Sequence, residues 1–173
     1  MPRSPEPLPG RLPFDPIERA AELWTEHFGD PTNMMVVTSV MRVQQLLLAR
    51  IDALLKPFGV TFARYEVLVL LTFSRSGSLP LSKIGQRLMV HPTSVTNAID
   101  RLESGGLVRR VPDEVDRRRT LAELTDRGRT VVQGATAALQ EAGFLLDDLE
   151  PARARALYDL LRALRADAGD FPP

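Results

Sequence analysis

Apolar residues recur at helical spacing along most of the chain. Over residues 16–28 (PIERAAELWTEHF), Ile17, Ala20, Ala21, Trp24 and Phe28 fall on one side, and Gly29-Asp30-Pro31 ends the run. A long helix is predicted over residues 33–56, closed by Pro57 and Gly59. Its apolar positions (Met34, Val37, Val40, Met41, Leu47, Leu48, Ile51, Leu54, Leu55) exceed what one buried face needs. Either part of this helix meets another subunit or it is a central helix buried within one chain. Residues 61–74 make the next helix, with Phe62, Tyr65, Leu68, Val69 and Phe73 as core, and residues 76–80 turn the chain.

The stretch from residue 81 to 125 organises the rest. It predicts a short helix over residues 82–89, a turn at Val90-His91-Pro92, and a second helix to about Glu103, stopped by Gly105-Gly106. A strand over residues 107–111, a charged tip over 113–119 and a return strand over 120–125 follow. Two short helices with a tight turn make a helix-turn-helix, and the charged hairpin behind it makes a wing. In the second helix Val95, Ile99 and Leu102 share the core face, leaving Thr93, Ser94, Thr96, Asn97 and Arg101 outward. A helix entering the DNA major groove needs short donors and acceptors near its N-terminus, where base edges come close. Its first amides favour a phosphate, and Pro92 suits the first helical position. The same polar face also fits an ordinary solvated helix; the wing tips the balance towards DNA. After the wing, Thr125 caps a helix from Asp126 to about Asp148, and Glu150-Pro151 opens a last helix to about Asp167. Its Leu157, Leu160, Leu161 and Leu164 share a face.

Composition narrows the chemistry. The chain has no cysteine, which excludes disulfides, thiolate metal sites and thiol redox sensing. Its two histidines, His27 and His91, lack ligand spacing, so no metal site or cofactor is expected. No nucleophile elbow, Ser–His–acid set or phosphate-binding glycine loop is present, and no enzyme is expected. No apolar run approaches a membrane span and the Pro-rich start lacks a signal core, so a soluble cytoplasmic protein without membrane contact is expected. The formal net charge of zero hides an asymmetry: residues 75–129 carry 11 Lys/Arg against 7 Asp/Glu, whereas residues 130–173 carry 4 against 7. The excess sits where a polyanion would bind.

The stretch Asp116-Arg117-Arg118-Arg119-Thr120-Leu121-Ala122-Glu123-Leu124-Thr125, followed by Arg127-Gly128-Arg129, resembles the wing signature of the MarR family of bacterial transcriptional regulators. Ser94-Val95-Thr96-Asn97, Arg101-Leu102-Glu103 and Gly106-Leu107-Val108-Arg109-Arg110 resemble its recognition helix and first wing strand. The resemblance runs over roughly residues 34–164. It implies an α+β, mostly α fold: a winged helix-turn-helix with N- and C-terminal dimerisation helices. It also implies a homodimer on double-stranded DNA, a ligand-responsive repressor on a pseudo-palindromic operator, or alternatively an architectural DNA-binding protein with no ligand. Domains would run 1–15 (disordered, Pro-rich), 16–60 (N-terminal dimerisation helices), 61–125 (winged helix-turn-helix), 126–168 (C-terminal dimerisation helices) and 169–173 (tail).

By position Arg118, supported by Arg117, matches the family's wing arginine and Asp116 its partner acid. A narrow minor groove attracts an inserted arginine, and a carboxylate two residues away is placed to aim the guanidinium. The charge run also fits a solvated tip. Arg109 and Arg110 either touch phosphates or point into the domain, and His91 either caps the second helix or touches a phosphate. The added N-terminal helix with Trp24 resembles the urate-responsive branch and its PecS-like relatives. Trp24, Glu66 and Arg110 match that branch's ligand residues, with Glu for its usual Asp and Ala98 where it has a second arginine. Those departures point away from urate and leave open another small anionic or aromatic effector. Trp24 equally fits a role in packing the extra helix.

Overall fold

Helix stops and caps in the computed structural model follow the local chemistry of the chain. The structure describes residues 12–113, 116 and 118–171. Their elements are α1 (Pro16–Phe28), α2 (Thr32–Leu55), α3 (Phe62–Thr72), β1 (Ser78–Pro80), α4 (Leu81–Leu88), α5 (Pro92–Ser104), β2 (Val108–Pro112), β3 (Thr120–Leu124), α6 (Asp126–Glu141) and α7 (Pro151–Asp167). Short 3-10 turns at Lys56–Phe58 and Gly143–Leu145 follow α2 and α6. The chain divides into two compact units, Met1–Leu47 and Leu48–Pro173, so the boundary falls inside α2.

In the first unit, the Asp15 carboxylate accepts from the Ile17 amide at 2.8 Å, and Pro16 opens α1. The Asp30 carboxylate accepts from the Thr32 amide (3.0 Å) and hydroxyl (2.7 Å), starting α2. Val36, Val37, Val40, Met41 and Val43 are exposed along α2. The 27-residue stretch Thr32–Phe58 is long and apolar enough, by length and composition alone, to cross a bilayer. This corrects the expectation that no run approaches that length. From Thr32 to Ala49 the only charge is Arg42, so counting unbroken apolar runs underestimates the stretch.

The second unit packs around Leu55, Leu68, Leu71, Ile84, Ile99, Leu102 and Leu139, all fully buried. The Asp52 carboxylate accepts from the Phe62 amide at 2.7 Å and so caps α3. The Tyr65 and Thr136 hydroxyls, 3.0 Å apart, tie α3 to α6. The buried face of α3 differs from the predicted one: Val67 and Leu71 join Tyr65 and Leu68, Phe62 and Val69 are half-buried, and Phe73 is exposed. Helix α3 packs against α4, α5, α6 and β3, so it is buried on more than one stripe, and Phe73 lies past its last turn.

The sheet is antiparallel in the order β1-β3-β2, with Leu79 opposite Ala122 and Arg110 opposite Ala122 on the other side. Strand β1 falls where the sequence predicts only a turn and lead-in. Three residues ending in proline carry no readable alternation, and the strand exists because β3 pairs with it. Helix α6 stops at Glu141, seven residues before the predicted end at Asp148. Gly143, Phe144 and Leu145 all take left-handed backbone (φ 49°, 51° and 67°), which terminates the helix.

The Leu124-Thr125-x-x-Gly128 motif has a local explanation. The Thr125 hydroxyl accepts from the Gly128 amide (3.0 Å) and donates to the Gly106 carbonyl (2.8 Å), joining the α6 start to the end of α5. A Cβ on Gly128 would lie 2.1 Å from the Leu107 carbonyl oxygen, so only glycine lets α6 start this close to the wing.

Candidate nucleic-acid interface

Helix α4 is closed just after Leu88 by Met89, which takes a left-handed conformation (φ 55°), and the Val90 amide donates to the Gly85 carbonyl at 3.1 Å. Gly85 keeps the α4–α5 crossing close: a Cβ there would stand 3.2 Å from Val95 Cγ2 and 3.3 Å from the Val90 carbonyl oxygen. His91 then precedes α5 in extended backbone and caps it. Its Nδ1 accepts from the Thr93 amide at 3.2 Å and lies 3.1 Å from the Thr93 hydroxyl. The capping alternative for His91 is therefore the one the structure shows.

Val95, Ile99 and Leu102 anchor α5 in the core. Thr93, Ser94, Thr96, Asn97 and Arg101 are exposed on its other face, so the structure brings these five predicted residues together on one helix. The Thr96 hydroxyl donates back to the Pro92 carbonyl at 3.1 Å.

The far end of α5 is clamped to the wing. Arg110 on β2 pairs with Asp100 at 2.5 Å and with Glu103, and its backbone amide donates to Glu103 Oε1 at 2.9 Å. Hydrogen bonds from the Arg110 amide and guanidinium hold the Glu103 carboxyl below its ordinary pKa. The bond to Asp100, followed by those to Glu103, pushes the Arg110 guanidinium above its ordinary value. Arg109 pairs with Glu123, its register partner on β3, at 2.7 Å, and that bond raises its pKa. Both arginines are thus committed within the domain. Asp100 and Glu103 went unassigned in the sequence. Their i,i+3 spacing on α5, opposite a paired Arg-Arg strand, is the signal that points to them.

At the wing the predicted Asp116–Arg118 side-chain pair is corrected. The Asp116 carboxylate accepts from the Arg118 backbone amide (3.1 Å) and pairs with the Arg119 guanidinium (3.1 Å). The Arg119 amide in turn donates to the Asp116 carbonyl at 2.8 Å. Asp116 holds the backbone at Arg118 and Arg119, and the three-residue spacing suits Arg119 better than Arg118. Among the described residues no acid pairs with the exposed Arg118 guanidinium. Arg117 lies outside the described residues.

Of the three effector residues expected by position, Trp24 belongs to the first unit, where its ring lies 5.0 Å from that of Phe28. Glu66 and Arg110 belong to the second. Glu66 is half-buried on α3, and burial raises its carboxyl above the ordinary value. Arg110 is engaged by Asp100 and Glu103, so a ligand would have to compete with both acids for it.

The family model described as "MarR family" matches residues 63–120, from α3 to the wing. The solved structure of Sco5413, a MarR family transcriptional regulator from Streptomyces coelicolor, is 53% identical, with a TM-score of 0.75 over 82% of this chain and 99% of that one. The chain belongs to the MarR family. A second MarR family regulator from the same organism, Sco3205, solved in complex with DNA, is 26% identical with a TM-score of 0.69 over 81% of this chain and 88% of that one. Among curated proteins, the HTH-type transcriptional regulator PecS of Dickeya dadantii (strain 3937) is 31% identical over 102 residues, 57% of this chain and 60% of that protein. The chain spans between 59% and 62% of the length of three curated relatives it matches, PecS among them. Each of these named relatives is a transcriptional regulator. All the candidate DNA-binding residues, from Thr93 to Arg118, fall inside the stretch that matches the MarR model.

Proposed function

We propose that this MarR-family chain is a cytoplasmic, sequence-specific DNA-binding regulator that acts as a homodimer on a pseudo-palindromic operator. One observation carries the reading: α5 buries its whole apolar stripe and leaves Thr93, Ser94, Thr96, Asn97 and Arg101 outward. On the same chain, Arg118 stands exposed at the wing. The helix supplies groups for base edges in the major groove, and the arginine suits the negative potential of a narrow minor groove. In this reading residues 61–125 bind DNA, and residues 16–60 and 126–168 make the dimer. Two-fold symmetry then places half-sites about one helical turn apart.

The regulator is a repressor released by a small anionic or aromatic effector. Its residues Trp24, Glu66 and Arg110 are assigned by sequence position within the resemblance to the PecS-like branch, with the half-buried Glu66 carboxyl in support. The effector acts by favouring a dimer whose recognition helices are spaced wrongly for the operator.

The test is a gel-shift titration of promoter and random duplexes across a salt series. Tight, strongly salt-dependent binding that prefers the promoter supports the proposal. Equal affinity for random DNA favours an architectural protein instead, and absence of binding at low salt overturns both.

A further inference from the structure

We infer that hydrogen bonds internal to the start of α5 fix the polarity with which it reads bases: Thr93 and Thr96 present acceptor oxygens, selecting adenine or cytosine over guanine or thymine on the contacted strand. This rests on the reading of α5 as the helix that enters the major groove, and adds the class of base edge it selects.

The argument follows each hydroxyl hydrogen. The His91 Nδ1 accepts from the Thr93 backbone amide, so that nitrogen carries a lone pair and no hydrogen. The Thr93 hydroxyl lies 3.1 Å from the same nitrogen, where it can act only as a second donor, sharing that lone pair with the amide. The Thr96 hydroxyl faces the Pro92 carbonyl, which can only accept, so Thr96 also spends its hydrogen inward. What each oxygen has left is lone pairs. The two residues are three positions apart and share a helix face.

In the major groove the donors are the amino groups of adenine and cytosine, whereas guanine and thymine offer acceptors at the corresponding place. An acceptor-only threonine bonds the first pair and faces a second acceptor in the other. His91 is in this account a positioning residue: it touches no base but sets which way Thr93 points its hydrogen.

The experiment is selection of bound sequences from a random duplex pool, comparing the wild type with Thr93→Val, Thr96→Val, His91→Ala and His91→Asn. The wild type should recover adenine or cytosine on one strand at two positions of each half-site. Each valine variant should lose about five-fold of that preference at one position and leave the others alone. His91→Ala removes the acceptor, frees the Thr93 hydrogen, and should admit guanine or thymine at the Thr93 position. His91→Asn offers an amide oxygen in its place and should keep the wild-type preference. A cap serving stability alone would change total affinity in His91→Ala without changing the base chosen. Guanine or thymine at both positions in the wild type, or an unchanged preference in Thr93→Val and His91→Ala, overturns the inference. If the wild type binds DNA with strong salt dependence but no base preference, the inference falls and DNA binding stands. If it retains no duplex at low salt, both fall.

Discussion

Helices α5 and α7 carry similar apolar stripes that end differently. In α5, Val95, Ile99 and Leu102 are at most 2% exposed, whereas in α7 Leu157, Leu160, Leu161 and Leu164 keep 37% to 68% exposure. The first stripe is completed by α3, α4 and β2 of the same chain. Among the described residues of the second unit, no element covers the α7 stripe in this way. The difference separates two kinds of surface. Where the apolar face is satisfied internally, the polar face is what the helix offers to a partner. Where it is not, the apolar face itself is the offer, and in the proposed homodimer a second copy takes it.

The comparison can be broken from either side. The largest effect belongs to the α5 stripe: Ile99→Ala should cost about 2–5 kcal/mol of stability in denaturant unfolding, because a fully buried side chain leaves a cavity. The double change Leu160→Lys and Leu164→Lys should leave the winged helix-turn-helix folded by circular dichroism but shift sedimentation towards monomer. A variant that stayed dimeric would remove α7 from the dimer region.

Next comes the wing. Arg118→Ala should weaken operator binding roughly ten-fold and lower the salt slope by about one, with the dimer intact. Unchanged affinity would count against Arg118 as the inserted group. Thr125→Ala should cost about 1 kcal/mol through loss of the α6 cap. The smallest effect is that of pH on the clamp. Because Glu103 is held below its ordinary pKa in the folded state, its contribution is complete above about pH 5 and is lost as pH falls through the depressed value. Glu103→Gln should flatten that part of the acid unfolding curve, a point checked by thermal melts across acidic pH.

Elements with local and redundant signals are legible in the sequence. Helix α1 has the predicted bounds because Asp15-Pro16 starts it and Gly29 ends it. The stripe of α5 was readable because three apolar residues fall within a 13-residue helix whose other face is polar. Elements decided by long-range packing are not legible in the sequence. Strand β1 depends on β3, and the face of α3 depends on neighbours on several sides. At the site, residue types were legible but their pairings were not. Asp116 was identified, yet its side chain takes Arg119 rather than Arg118. Arg110 was noticed, yet nothing local shows that Asp100 and Glu103 hold it. For His91 the sequence admits two roles that only the direction of its ring separates.

The central claim is that two copies of this chain grip one duplex symmetrically, with α5 in the wide groove and Arg118 in the narrow one. Hydroxyl-radical footprinting of a selected duplex tests it most directly. The account predicts two equivalent protected patches about one helical turn apart, with flanking minor-groove protection that disappears in Arg118→Ala. A single unsymmetrical patch, or flanking protection that survives Arg118→Ala, would contradict it.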